Sequence, residues 1–135
     1  MANLVITSAR LVKGADEHQL TMPAGVAIVA GQYVRPDSVS GKWALGNAAA
    51  AGNIGDGFIA LNSAAIGEPV TAVKGPCIVD IGEALAALGY GAVVYLADAD
   101  GTLADAAGTV STKVGNVVPG WGAVTPDKLL RVSLA

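Results

Sequence analysis

The sequence predicts a small all-β protein, and three observations lead to that fold class. Glycine and proline, 18 and 6 of the 135 residues, interrupt the chain so often that few windows could hold a long helix. Short segments rich in valine, isoleucine, threonine and aromatic residues recur between those breaks, as strands do. The large apolar side chains are clustered in short runs, for example at 26–29 and 93–96. Many short strands at close spacing favour a barrel or a sandwich.

Ten strands are expected along the chain. The last has the clearest alternation, because Leu130, Val132 and Leu134 face one side while Arg131 and Ser133 face the other. Such a strand is buried on one face only. The ten expected strands are 3–7, 18–22, 31–35, 43–45, 57–61, 69–74, 77–81, 92–97, 113–118 and 129–134.

One short helix is expected, from about Ile81 to Leu88. Asp80 can accept backbone N–H bonds as its N-cap, and Glu83 stands three residues later, where a capping box places an acid. The alanines and leucines that follow are good helix formers. Gly89 can then supply the left-handed conformation that commonly ends a helix. The result is a helix of one or two turns.

The length fits one domain, which we divide into an N-terminal arm or edge strand, 1–17, and a single β domain, 18–135. Every apolar run is far shorter than the ~20 residues needed to cross a bilayer, so no transmembrane segment is expected. The first six residues have no basic region before a long apolar run, so no signal peptide is expected either.

Charge and cysteine content narrow the classes of partner. The net charge is −3 and no cluster of Lys or Arg occurs, which argues against nucleic-acid binding. Only 14% of residues are charged, which extensive burial against partners or an Ala/Gly-rich loop surface would explain equally well. The single cysteine, Cys77, cannot form an intrachain disulfide, and synthesis in a reducing cytoplasm fits.

The sequence offers little catalytic or cofactor chemistry, so no enzyme, metal or cofactor is expected. His18 is the only histidine, and no motif supports a catalytic role for it. Cys77, between Pro76 and Ile78, is expected to be a small buried strand residue. Asp98 to Gly101 resembles the start of a calcium loop but lacks its later acidic ligand, and Asp-Gly after a strand indicates a hairpin turn.

Three large side chains on small-residue segments are candidates for partner contacts. Trp43 follows Gly41-Lys42, and Trp121 lies between two glycines; a tryptophan in such a segment either caps the core of its own fold or anchors an interface. Arg35, in Arg35-Pro36-Asp37, is expected in a solvated turn or, as the alternative, in an ion pair with a partner.

An ordered series of glycine- and valine-rich motifs runs through most of the chain. Its members are Ala-Gly-Gln-Tyr-Val at 30–34, Gly-Glu-Pro-Val-Thr-Ala-Val at 67–73, Gly-Pro-Cys-Ile-Val at 75–79, Leu-Gly-Tyr-Gly-Ala-Val-Val-Tyr-Leu at 88–96, Asp-Gly at 100–101, Val-Gly-Asn-Val-Val at 114–118 and Leu-Leu-Arg-Val-Ser-Leu at 129–134. In this order and spacing the series resembles the small capsid-stabilising proteins of tailed phages, the cement or head-decoration proteins, over roughly residues 18–134.

The resemblance implies a fold, a partner and a location. The implied fold is a compact β-barrel or β-tulip with a short helix. The implied function is capsid decoration: homotrimers made in the host bacterial cytoplasm bind the major capsid protein on the outer capsid surface of the virion and stabilise the shell. A tail, fibre or other minor virion β module is the alternative, and a small-ligand-binding β-barrel is a further one.

The resemblance also implies that the N-terminal segment orders on the shell, often by adding a strand to the major capsid protein. The residues concerned are Ala2, Asn3, Leu4, Val5 and Ile6. They suit that role because they are largely apolar and carry no charge that would block pairing at a sheet edge. The alternative is that they form an edge strand within their own fold.

Overall fold

The computed structural model describes residues 3–6, 8–13, 19–120 and 127–134. Over these residues the protein is all-β, as predicted, with eleven strands and two short 3₁₀ helices, Ala51–Asn53 and Gly82–Leu85. The strands are β1 Arg10–Lys13, β2 Gln19–Pro23, β3 Tyr33–Pro36, β4 Trp43–Leu45, β5 Phe58–Ala60, β6 Pro69–Val73, β7 Cys77–Asp80, β8 Val93–Leu96, β9 Leu103–Ala104, β10 Lys113–Pro119 and β11 Lys128–Val132.

The strands form two antiparallel sheets. Sheet A has the order β1-β7-β11-β10-β8-β9, and sheet B has the order β2-β6-β5-β3-β4. Nine of the ten expected strands have counterparts here, because β-branched residues bounded by Gly and Pro are a strong local signal. The expected strand 3–7 is not confirmed, since among its described residues, 3–6, only Asn3 makes an isolated bridge, to Ala104. The strands β1 and β9 were not predicted.

Core 1 lies between the two sheets. Sheet B contributes Tyr33, Ile59 and Val73, which are aligned across β3, β5 and β6. Sheet A contributes the inward-facing residues of all its long strands, since alternate residues of a strand point to one face. The buried members from sheet A are Cys77, Val79, Val94, Leu96, Leu103, Val114, Val117, Leu130 and Val132.

Core 2 lies on the opposite face of sheet B. It contains Val34, Phe58 and Val70 from the strands, and it is covered by Ala24 and Ile28 from the loop after β2. Both faces of sheet B are therefore buried, which explains why β5 is apolar at every position instead of alternating.

Neither sheet closes on itself, so the expected closed barrel is not confirmed. In sheet B the end of β2 reaches the far edge through one parallel bridge, Ala24 to Trp43, and no ladder follows it. Sheet A is strongly curled. Ile6 lines a small cavity together with Thr102 and Leu103 at one edge of the sheet. Arg10, the first residue of β1 at the other edge, follows Ile6 by four residues and so lies within ~14 Å of it. Six flat strands would separate these edges by ~24 Å.

The expected helix from Ile81 to Leu88 is reduced to a single 3₁₀ turn, Gly82–Leu85, hereafter the Gly82 turn. Asp80 Oδ1 accepts a bond from the Gly82 amide at 2.9 Å, but it does not cap an α-helix. Gly82 has φ +70°, a left-handed conformation that an α-helix running on from Ile81 cannot contain. The positive φ after the turn belongs to Gly91 and not to Gly89. Eight residues lie between Gly82 and Gly91, and an isolated α-helix of that length is only marginally stable.

Candidate functional site

The N-terminal segment, defined here as residues 3–6, lies along the outer side of β9. Asn3 bridges Ala104, and the Leu4 amide donates to the Leu103 carbonyl at 2.7 Å. Leu4 and Ile6 are half-buried against core 1, whereas Val5 between them is 81% exposed. The segment therefore extends the edge of this chain's own sheet, with one apolar face packed and one apolar side chain presented outward.

Ile6 holds the far end of the segment against the loop before β3. Its Cγ2 occupies the position that a Cβ on residue 31 would need, and residue 31 is a glycine with φ +91°. Only glycine combines that backbone conformation with so close an approach. Among the sequence-predicted contact residues, Asn3, Leu4 and Ile6 thus touch their own fold, and Ala2 lies outside the described residues.

A groove runs between the N-terminal segment and the Gly82 turn. We call it the seam groove. It has a volume of about 550 Å³. Residues 3–5 and residues 81–84, 87 and 88 line it, together with Asp105. The sequence did not predict this groove, since it joins segments more than 75 positions apart.

Trp43 is a core residue in this structure and has no exposed surface. Its indole Nε1 donates to the Val70 carbonyl at 2.9 Å, and its ring meets Phe58 edge-on with centroids 5.2 Å apart. The structure therefore places Trp43 in core 2, where its side chain offers no area to a partner. Trp121, the second tryptophan considered for such a contact, lies outside the described residues.

Arg35 belongs to β3 and not to a turn, which corrects the expectation for Arg35-Pro36-Asp37. The turn begins at Asp37, whose carboxylate accepts bonds from the Ser40 amide and hydroxyl. The stem of Arg35 packs against Gly55, and its Nε atom is buried without a hydrogen-bond partner among the described residues. Pro36 favoured a turn in the sequence, but it pairs with Trp43 in the β3–β4 ladder and so ends a strand.

Several large apolar side chains other than Val5 are exposed and were not singled out in the sequence. Val39 is 92% exposed at the tip of the β3–β4 hairpin. Val26 and Ile66, the latter 70% exposed, lie on two segments held together by bonds between Ala24 and Glu68 and between Ile28 and Ala64. Of these exposed side chains, only Val39 could have been expected from the sequence, because it stands within the polar turn sequence Ser-Val-Ser-Gly.

Cys77 and Tyr33, two groups with ionisable side chains, are both buried. Cys77 is buried in β7, as expected, and burial raises the pKa of its thiol to about 11. Burial likewise raises the pKa of Tyr33 to about 12, and its hydroxyl donates to the Ile54 carbonyl at 3.0 Å. His18 lies outside the described residues, within which no group of three or more His, Cys, Asp or Glu side chains could hold a metal ion.

The Asp98–Gly101 segment forms the predicted hairpin turn between β8 and β9. Asp98 accepts bonds from the Thr109 hydroxyl at 2.7 Å and amide at 2.8 Å, which lower the pKa of its carboxyl. Asp100 accepts a bond from the Asn47 side-chain amide at 2.7 Å. Both carboxylates therefore tie neighbouring loops together.

Comparisons with protein-family profiles, curated proteins and solved structures found no match. Among the residues that the structure describes, no helix has the length and apolar character required to span a membrane.

Proposed function

We propose that this chain is a capsid decoration protein, which binds the outer surface of a phage head as trimers and stabilises the shell. The observation that carries the proposal is the N-terminal segment. It is an uncharged, apolar edge of sheet A, and it presents Val5 to solvent beside the seam groove. An edge of this kind is suited to pairing with another polypeptide.

The order of motifs along the chain supports the same proposal. The segments that resemble cement proteins fall on β3, β6, β7, β8, β10 and β11, which build most of the two sheets. The resemblance therefore concerns the framework of the fold and is not confined to one loop.

The distribution of exposed apolar side chains supports an adhesive role. Val5, Val39 and Ile66 are each at least 70% exposed, and they lie on three separate segments. Isolated exposed apolar residues are common, but a decoration protein needs only modest contacts at several points. Many copies on one shell would sum such contacts, and binding to the assembled shell would stabilise it by mass action.

The proposal is tested by adding the purified chain to expanded, undecorated shells of the phage that encodes it. We expect saturable binding, with a copy number in the hundreds per shell, and a higher melting temperature of the decorated shells. Analytical ultracentrifugation of the free protein tests the trimer separately. Absence of binding, with shells melting at the same temperature, would contradict the proposal. A copy number of a few to dozens per virion would favour a tail or fibre module instead.

A further inference from the structure

The strands of sheet A hold an uneven share of the charge. Five of the eight Lys and Arg residues of the chain lie in these six strands, against one of its eleven Asp and Glu residues, Asp80. The cations come from β1, β10 and β11, so they form no cluster in the sequence, and only strand pairing gathers them on one sheet. The five are Arg10, Lys13, Lys113, Lys128 and Arg131.

Two of these cations lie on the outer face of sheet A, the face turned away from core 1. Arg131 is exposed and follows the core residue Leu130, so its side chain points outward. Lys113 is exposed and pairs with Tyr95, which alternates with the core residues of β8 and so also points outward. In the part of the chain that the structure describes, neither cation makes an ion pair.

The acid of sheet A does not offset these two cations. Asp80 follows the core residue Val79 and so points to the outer face, where its Oδ2 lies 3.1 Å from Nη2 of Arg10. The ammonium of Lys128, at the start of β11, is directed instead to the Gly82 turn, where it donates to a backbone carbonyl at 3.0 Å. The outer face is therefore basic.

Apolar side chains surround the cations on this face. Ile78 pairs with Arg131 in the β7–β11 ladder. On its other side Arg131 pairs with Asn116, which in turn pairs with Val93. An antiparallel sheet with one solvated face usually places polar residues on that face, so apolar residues here indicate a surface that another molecule covers. The half-buried ones, none of them in core 1 or core 2, are Ile78, Val93, Tyr95 and Val118.

This combination of residue types favours a protein as the covering molecule. Arg and Tyr are enriched at the centres of protein interfaces, and cations there select partners of complementary charge. Nucleic acid needs a larger basic footprint and gains little from valine and isoleucine between the cations. Outside sheet A the chain has three Lys and Arg residues against ten Asp and Glu residues, which repel a phosphate polyanion.

We propose that the outer face of sheet A binds an acidic surface of a partner protein, on which carboxylates are set among apolar side chains. The carboxylates pair with Lys113 and Arg131, and the apolar side chains cover Ile78, Val93 and Tyr95. The inference goes beyond capsid decoration and does not depend on it, because this face does not include the N-terminal segment.

The direct test uses peptides and ¹⁵N-labelled full-length protein. The probe is acetylated and amidated Glu-Val-Glu-Leu-Glu-Val, and the controls with the same end groups are Lys-Val-Lys-Leu-Lys-Val and Glu-Ser-Glu-Ser-Glu-Ser. We expect saturable NMR shift changes at residues 78, 93, 95, 113 and 131 with the probe. Its affinity should be millimolar, since a short peptide covers part of the face, and should fall with added salt. The basic control should not bind, and the serine control should bind several-fold more weakly.

Three results of this titration would overturn the proposal. They are equal binding of all three peptides, shift changes confined to other parts of the protein, and no saturable binding at millimolar probe. A short DNA duplex that binds the same residues more tightly than the probe would assign the face to nucleic acid. Sedimentation of the free protein, with concentration-dependent shift changes at these residues, would show that a second copy of this chain covers the face. Both outcomes would also overturn the assignment to an acidic partner protein.

Matched charge variants locate the contact. Arg131→Gln and Lys113→Gln should each weaken binding of the probe about two- to fivefold, as expected for exposed ion pairs. Arg131→Lys keeps the charge and should recover most of the affinity that Arg131→Gln loses. Lys42→Gln removes the same charge from an exposed position on the β3–β4 hairpin and should leave binding unchanged. Equal weakening by Lys42→Gln would attribute binding to net charge and contradict the assigned face.

Tyr95→Thr tests the apolar part of the face. Threonine retains a β-forming side chain but removes the ring, so the probe should bind about two- to fivefold more weakly. The affinity for the serine control should stay as in the wild type, since that peptide has no apolar side chain to lose a contact. Equal weakening of both peptides would show that Tyr95 acts only through the structure of β8, and an unchanged affinity for the probe would remove the ring from the proposed contact.

Discussion

Ile6 lies in the space that a side chain at position 31 would occupy, directly against Gly31. This contact joins the N-terminal segment to the loop that enters β3, and it fixes the segment at the end opposite to the Asn3–Ala104 bridge. The candidate interaction surface is consequently attached to the body of the protein at two points, one through backbone pairing and one through packing.

Gly31→Ala should destabilise the protein by about 2–4 kcal/mol, because the new methyl group strains a backbone at φ +91° and overlaps Ile6. Urea unfolding measures the loss. Gly67→Ala is the matched control, since Gly67 has φ +88° with open space around it, and it should cost only the backbone strain. Adding Ile6→Ala should recover part of the Gly31→Ala loss, and simple additivity of the two changes would contradict the contact.

Trp43→Phe should lower the free energy of unfolding by about 2–4 kcal/mol. The substitution leaves a cavity in core 2 and leaves the Val70 carbonyl without its indole partner. Val39→Ala, at a side chain that is 92% exposed, should change stability by no more than about 0.5 kcal/mol. Chemical denaturation of both variants provides the measurement. Equal losses in the two variants would show that Trp43 is not a core residue.

The buried thiol of Cys77 should make the protein less stable at alkaline pH. Its pKa is about 11 in the folded state against an ordinary value of 9.0, so the folded state holds the proton more tightly. This contribution is complete below pH 9 and is lost as the pH rises through 11, by about 2 kcal/mol at pH 11. Unfolding curves from pH 7 to 11 should therefore be less pH-dependent in Cys77→Ala. Identical pH dependence in both proteins would be evidence against burial of the thiol.

Asp98 should titrate below its ordinary pKa of 3.8, because the hydroxyl and amide of Thr109 stabilise its carboxylate. A ¹³C NMR titration of the carboxyl group measures the midpoint. Thr109→Val removes the hydroxyl bond, which is the largest cause of the shift, and should raise the midpoint toward 3.8. The interaction stabilises the loop above that pH and is lost as the pH falls through the lowered pKa. An unchanged midpoint in Thr109→Val would rule out this explanation.

Val5→Asp should weaken binding to phage shells about tenfold or more, since it places a charge on the edge proposed to pair with a partner. The fold should be retained, because the Val5 side chain is 81% exposed. A binding isotherm with undecorated shells gives the affinity. Ser111→Asp adds the same charge at an exposed polar position before β10, which is none of the exposed apolar positions, and it should bind as the wild type does. Equal weakening of both variants would attribute the effect to net charge.

The sequence by itself determined the fold class and nearly all the strands, because glycine and proline breaks and β-branched runs act over a few residues. The hairpin at Asp98 to Gly101 and the burial of Cys77 followed from the same local chemistry. The 3₁₀ turn at Gly82 shows where local signals failed. A capping pattern was present, but Gly82, two residues after the expected N-cap Asp80, is left-handed, and an α-helix cannot run through it.

Only the tertiary structure decided how the strands are arranged in sheets and which apolar side chains remain exposed to solvent. Trp43 and Val5 are both large apolar residues, yet the first is enclosed by core 2 and the second faces solvent. The seam groove likewise brings residues 3–5 together with residues 81–84, 87 and 88, which are far apart in the sequence. Local propensity acts over neighbouring residues, whereas sheet curvature and burial depend on contacts between distant segments, and no short pattern encodes them.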